Sequence, residues 1–486
     1  MVWLWLSACQ GPAPVTPSDS QPSDSQVTDD TDDSQDTQDT QDLTLELELV
    51  STDRPLVGQA TVSLPESWAA DDAEIWLEFW TEGVAPLRTA SQPGDATLAL
   101  IGVRQDSTYT VEAVAQHTDG AVVRSAPTEF TSGSVDMGTL PDWSAAVGAD
   151  LPGGLLLVGP APSDNGDIQG PYLYGVDRAG HVVWAWEPEL EGRVRGTRAP
   201  ELQSDGTVAV FRAQELLFAA PDATTSRRLA YSEDIGVHHD AFPLPDGGAY
   251  LLGDEERELP VPDKGVVPVR GDTIVRVDDA GQVVWTWSAF DHIDTTWFPS
   301  PKSTVAGRDG AVDWTHGNSL IHDADQDLLI WSARHLNQVI AVDASTGEVA
   351  WTLGRHGDFE LTGDGRWFDY QHAALLTAPD VVLLYDNGTE DAGLESRAVA
   401  YRIDTAAGTA EQVLSLDVGA FTSNVGDVDA TPSGGVLATA AGIRADGVPA
   451  RVIEFDATGA IVWQLELPGD HRIYRAELVD WVQPVE

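Results

Sequence analysis

The sequence predicts an all-β protein, a six-bladed β-propeller preceded by an immunoglobulin- or fibronectin-like β-sandwich. Three observations predict it. A phrase of one strand, a turn bearing Asp or Gly, and a second strand ending in Trp recurs six times, about 45 to 65 residues apart. The stretch before the first copy consists of short alternating apolar and polar runs broken by Gly, Pro and Asp. Tryptophan, with 17 copies, outnumbers Tyr at 9 and Phe at 11, as expected where strand-end indoles wedge between repeats. Placed in order, these features divide the chain into residues 1–9, a lipoprotein-type leader; 10–42, a disordered acidic linker; 43–138, the sandwich; and 139–486, the propeller.

Composition removes several function classes. The chain holds 26 Lys+Arg against 79 Asp+Glu, a formal net charge of −53. Nucleic acid and anionic membrane surfaces both need a basic face, so neither is expected as a partner. No apolar run approaches the roughly 20 residues that span a bilayer. A single cysteine, Cys9, excludes a disulfide scaffold. That cysteine closes the run Leu6-Ser7-Ala8-Cys9, which resembles a bacterial lipobox. Lipidation of Cys9 would anchor the protein in the cell envelope, facing the periplasm or the exterior. The run is short and lacks a preceding basic residue, which a start upstream of Met1 would explain. Residues 10–42 are rich in Asp, Ser, Thr and Gln and carry no basic residue, so they are expected to be a solvated tether.

The sandwich is read from three alternating runs. They are Leu43-Thr-Leu-Glu-Leu-Glu-Leu-Val50, Glu74-Ile-Trp-Leu-Glu-Phe79 and Ser107-Thr-Tyr-Thr-Val-Glu-Ala-Val-Ala115. No chemistry is visible there, and the unit reads as a support domain. In the repeats, clear copies run Tyr172–Trp186 and Thr273–Trp287, with others around Asp343/Trp351 and Asp456/Trp463 and weaker ones at Asp222 and Asp404. A further strand pair precedes each copy, giving four antiparallel strands per repeat and radial closure without long edges.

This register places candidate chemistry. His239, His316 and His372 stand 12, 12 and 11 residues before Leu251, Leu328 and Leu383 of the second strand of their repeats. All three therefore begin an innermost strand and ring one mouth of the central channel. Arg334, Asp386-Asn387-Gly388 and Arg397, at strand ends, are expected on the same face. So are two long loops, one with Trp297, Phe298 and Trp314, the other with Trp367, Phe368 and Tyr370. Imidazoles and guanidiniums suit a tetrahedral oxyanion and aromatic walls suit an aryl group, so aryl phosphate and aryl sulfate both fit.

Several segments carry a family likeness. Asp313-Trp-Thr-His-Gly-Asn-Ser319, Ser332-Ala-Arg-His335, Tyr370-Gln-His-Ala373, Tyr385-Asp-Asn-Gly388 and Ser396-Arg397 resemble the bacterial arylsulfate sulfotransferase family. His238-His-Asp-Ala241 and Tyr474-Arg-Ala-Glu477 do too, and the resemblance runs in order over about 140–486. It implies transfer of a sulfuryl group from an aryl sulfate donor to a phenolic acceptor, without a nucleotide sulfate donor, by a ping-pong route. The family's transiently N-sulfated histidine matches His372; its other active-site positions match His239, His316, Asn318 and Arg334, and a threonine matches Thr422. Arg397, Asn387, Thr422, Trp314, Trp367 and Tyr370 are expected to line the substrate site. No cofactor and no metal are implied. Enterobacterial members carry a cysteine pair in the propeller that this chain lacks.

Other readings stand beside this one. Ala341–Trp351 matches the tryptophan-docking repeat of pyrroloquinoline-quinone dehydrogenases, but those have eight blades. The protein could also be a non-catalytic propeller lipoprotein that binds an aryl or anionic ligand. Three imidazoles with water make a catalytic zinc shell, which Arg334 beside them disfavours. His238 and His335, next to proposed site residues, read as supporting groups. Asp323-Ala-Asp-Gln-Asp327 looks like a calcium loop but reads better as a plain turn.

Overall fold

A computed structural model describes residues 43–136, 143–148, 151, 153–162, 172–188, 200–212, 214–307, 310–389, 393–441, 449–467 and 471–485. Cys9 and the acidic linker lie outside the described residues. The fold is all-β, with one four-residue α-helix, Ala289–His292, among the described residues.

Among the described residues, six antiparallel sheets built on four strands each follow one another, the last with Ser144–Val147 added at its edge. The third sheet is Ala241–Pro243, Ala249–Val261, Gly265–Val277 and Val283–Ser288. The fourth is Gly317–Asp323, Leu328–Ala333, Gln338–Asp343 and Val349–Leu353. The fifth is His372–Ala378, Val381–Asp386, Arg397–Asp404 and Thr409–Asp417, with Glu360–Thr362 added at its edge. In the first sheet the innermost strand is His471–Val479, so the C-terminal segment completes a sheet begun by Leu155–Pro162. The first strands touch in succession: Ala241–Pro243 meets Gly317–Asp323, which meets His372–Ala378, then Asp427–Ala430, then His471–Val479, which also meets Glu201–Leu202.

The repeated Asp has a local cause. Asp177, Asp222, Asp278, Asp343, Asp404 and Asp456 each sit in the turn between the outer two strands of a sheet. Each carboxylate accepts backbone N–H groups two to four residues on, closing the turn without help from the rest of the fold. The repeated Trp has a tertiary one. Trp184, Trp287 and Trp463, all buried, donate their indole N–H to the Pro221, Gly347 and Arg178 carbonyls. Each acceptor lies in the outer turn of the next sheet, so one indole both fills the gap and latches the neighbour.

Residues 43–136 form a three-stranded sheet and part of a larger one. Their apolar faces share a core that includes Leu77, Phe79, Val111 and Trp481. The sequence reading did not foresee that the last strand, Val482–Pro484, leaves the meanders and pairs with Val84–Thr89. Nor did it foresee the hairpin Ala249–Val261/Gly265–Val277, paired from Ala249↔Val277 to Val261↔Gly265. Cross-strand charges along it, such as Arg270 with Asp254 and Glu256, suit a ribbon that stands in water. This ribbon carries Asp272 to the site.

Candidate active site

His372 is the first residue of its strand and is 4% exposed. Its Nδ1 lies 2.6 Å from Asn387 Oδ1. The amide of Asn387 cannot be turned round, because its Nδ2 donates to the Thr422 and Val425 carbonyls at 3.0 and 2.8 Å. An amide oxygen only accepts, so Nδ1 of His372 carries the proton and Nε2 holds the lone pair. Burial, followed by the positive charge of Arg334, holds the His372 pKa well below that of an ordinary imidazole. The ring is neutral at pH 7 with its lone pair on Nε2.

His316 precedes the inner strand of the fourth sheet, and its Nδ1 lies 2.6 Å from Asp313 Oδ2. Burial alone would raise Asp313, but the hydrogen bond to His316 and nearby imidazoles bring it to about 2, so it stays ionised. His335 stacks on His316 at 4.4 Å between centroids. His335 donates from Nδ1 to the Asp313 carbonyl and accepts from Arg334 Nη1 at Nε2. Burial above all lowers His335 to about 3, so it remains an acceptor for Arg334. Arg334 also donates to the Ser423 carbonyl, while its buried Nε has no partner. Burial lowers it to about 10, still charged at pH 7. Tyr370 covers this guanidinium, its ring centroid 5.4 Å from Cζ.

His239 meets His316 edge-to-face at 5.0 Å, and its Nδ1 lies 2.8 Å from Nδ1 of His238. Asn318, fully buried, donates to the Gln371 carbonyl, and its Oδ1 has no partner. His239, His316 and Tyr370 have φ of 54°, 50° and 55°, a left-handed backbone that costs a non-glycine residue roughly 1–3 kcal/mol and gathers at functional sites. Arg475 ties the strands beneath. It makes a two-pronged pair with Asp240 at 3.0 and 2.9 Å, donates to the Asn318 carbonyl, and faces Asp427 at 3.6 Å.

The structure thus gathers His239, His316, His372, Asn318, Arg334 and Tyr370. It assigns other expected residues elsewhere. Arg397 spends its guanidinium on Asp386, Gln412, Ser415, the Arg366 carbonyl and the Tyr401 hydroxyl, leaving no donor for substrate. Trp314 is fully buried, stacked on Phe290 at 5.3 Å and bonded to the Trp297 carbonyl. Trp367 packs on Tyr401 at 5.3 Å. Thr422 and Asn387 stand behind His372: the Thr422 hydroxyl meets Tyr385, Asn387 and Ser396. Asp323–Asp327 is a hydrogen-bonded turn between two strands. The sequence reading missed Asp272, Asp313 and Arg475 as site groups; only the last two lay in quoted motifs.

Asp313, His316 and His335 come close enough together to hold a cation. Their Nδ1 atoms are engaged with Asp313 itself, and this is not the set of three histidines that suggested zinc. A cavity of about 330 Å³ lies elsewhere, between the N-terminal sheet and the first meander, and its Arg104 and Arg178 are paired with Asp177 and Glu454.

The arylsulfotransferase (ASST) family model matches residues 155–475, about two thirds of the chain. This chain belongs to the arylsulfotransferase family. Membership carries sulfotransferase activity in general terms, and the matched span contains every gathered residue. Comparison with curated proteins gives no match. Among solved structures, Citrobacter koseri AztD is similar at 14% identity and a TM-score of 0.31, covering 84% of this chain and 98% of that one. Kuenenia stuttgartiensis hydrazine synthase is similar at 13% identity and 0.32, covering 59% and 69%. At such scores these likenesses carry no argument.

Proposed function

We propose that this arylsulfotransferase moves a sulfuryl group from an aryl sulfate to a phenol through an N-sulfohistidine at His372. The observation that carries the reading is the 2.6 Å contact from His372 Nδ1 to a locked Asn387 oxygen, which leaves Nε2 as a neutral nucleophile. In the first half-reaction, Nε2 forms a bond to sulfur, the sulfur–oxygen bond to the aryl group breaks, and the phenolate leaves with a proton. In the second, an acceptor phenol loses its proton, its oxygen bonds to sulfur, and the nitrogen–sulfur bond breaks. Arg334, His316 and the second Nδ2 hydrogen of Asn318 hold the sulfuryl oxygens, stabilising charge as donors do in phosphoryl transfer. Tyr370 flanks the aryl ring, and the scheme uses no metal or cofactor.

In the same reading the six meanders are the blades of one propeller, and residues 43–136 are a supporting sandwich. Cys9 would carry a lipid that holds the enzyme in the cell envelope. The test is p-nitrophenyl sulfate with and without phenol. Without acceptor, a burst of nitrophenol should match the enzyme concentration and leave a sulfuryl mass on a peptide containing His372. His372→Asn should abolish burst and transfer; a burst that survives, or a label elsewhere, overturns the assignment.

A further inference from the structure

The scheme needs a group that gives a proton to the departing phenolate and takes one from the acceptor phenol. His239 and His316 meet edge-to-face at 5.0 Å beside the other gathered residues, and their outer partners differ. The Nδ1 of His316 faces a carboxylate that only accepts. The Nδ1 of His239 faces another imidazole nitrogen, His238 Nδ1, at 2.8 Å, and the far nitrogen of His238 lies 3.1 Å from Asp272 Oδ1. Asp272 is 3% exposed; its other oxygen accepts the Gly317 N–H at 2.6 Å, and its own N–H donates to Thr315 Oγ1.

Two facing Nδ1 atoms share one proton. Whichever ring holds it, the other presents a lone pair. The geometry points to Asp272–His238–His239 as a proton relay in which His238 and Asp272 are positioning residues and His239 is the general acid and base. This rests on the sulfuryl-transfer reading above. At rest His238 is an imidazolium, donating from Nε2 to Asp272 and from Nδ1 to His239, whose proton is therefore on Nε2. As the donor's sulfur–oxygen bond breaks, His239 Nε2 protonates the phenolate and the shared proton crosses to His239 Nδ1. His239 is then neutral with a lone pair at Nε2. The acceptor phenol gives its proton to that nitrogen, the shared proton returns to His238, and the cycle balances with no proton gained or lost.

The surroundings suit each state. Burial works against the charge on His238, but Asp272, then Asp254 and Asp313, raise its pKa above the ordinary imidazole value. Burial, then His238, His316, His372 and Arg475, push His239 well below it; Tyr474 also faces its ring, at 6.2 Å. The charge therefore rests on His238 and not on His239.

The test uses the full chain and two donors, p-nitrophenyl sulfate and phenyl sulfate, whose phenols differ in need of a proton. General acid catalysis contributes about 10²–10⁴-fold. His238→Gln and Asp272→Asn should lose about a hundredfold or more in kcat with phenyl sulfate, but less than about tenfold with p-nitrophenyl sulfate. Both should also shift the basic limb of the pH profile. Equal losses on both donors with an unmoved profile would overturn the relay. A second measurement needs no turnover: imidazole ¹⁵N shifts of the wild-type protein at pH 6, assigned with the two single histidine variants. Both nitrogens of His238 and only Nε2 of His239 should be protonated; a singly protonated His238 overturns the proposal. A wild-type protein inert to every aryl sulfate would sink the transferase reading instead, and the spectra would still decide the relay.

Discussion

Two carbonyls, of Thr422 and Val425, take the amide protons of Asn387, and that leaves its oxygen aimed at His372. A neutral partner there fixes a tautomer without adding charge. A carboxylate in the same place would fix the same tautomer and also stabilise the imidazolium, which is no nucleophile. Asn387→Asp should therefore raise the His372 pKa. In the wild type that pKa lies well below 6.5, so kcat/KM for p-nitrophenyl sulfate should stay level from pH 7 to pH 6. In the variant it should fall over that interval as His372 takes up a proton. Superimposable acid limbs would mean that His372 is not the nucleophile whose protonation sets the limb. The role of Arg334 follows the same logic, since it opposes a proton on His372 while attracting the sulfate. Its own setting, held by His335 and the Ser423 carbonyl, keeps it from straying onto the surplus carboxylates.

At the scale of elements, the strand His471–Val479 decides most. It completes the first sheet and delivers Arg475 to Asp240, Asn318 and Asp427, which belong to three other sheets. Breaking a buried pair leaves an uncompensated charge, so Arg475→Gln should cost roughly 3–5 kcal/mol, read from urea unfolding. Glu477 on the same strand is raised to about 8 by burial and the neighbouring Asp427. Its folded pKa exceeds its unfolded value of about 4.3, so the native state binds the extra proton. That contribution is complete below the unfolded value and is lost as pH rises through the folded one. The melting temperature should fall between pH 6 and pH 9, and Glu477→Gln should flatten that fall. The sequence showed much of this scale and little of its wiring. The six turn aspartates were legible because their chemistry is local. The three histidines were legible because register is periodic. Arg397 was expected to meet substrate because sequence puts it at a strand end, and sequence cannot show Asp386 and Gln412 consuming its guanidinium. Asp272 gave no signal at all, since a long hairpin brings it to His238 from 34 residues away.

For the whole molecule, the governing fact is a net charge of −53 around a site that, in the proposed reading, captures an anion. At long range an aryl sulfate is repelled by the summed surface charge, and with a Debye length of about 10 Å at 0.1 M that repulsion is screened by ordinary salt. At the candidate site the attraction comes from Arg334, which is 4% exposed and so little screened by mobile ions. Salt therefore weakens the repulsion more than the attraction. Electrostatic steering by a basic surface would behave the other way, with capture falling steeply as salt rises. The expected outcome is that kcat/KM for p-nitrophenyl sulfate holds steady or rises from about 0.01 to 0.15 M sodium chloride, with kcat little changed. Removing residues 1–42, whose only ionisable side chains besides Cys9 are acidic, should leave kcat intact and reduce the size of that rise, because it removes negative charge that salt no longer needs to screen. A steep decline in kcat/KM over the same range would mean that surface attraction governs capture and that the field of the pocket has been misjudged.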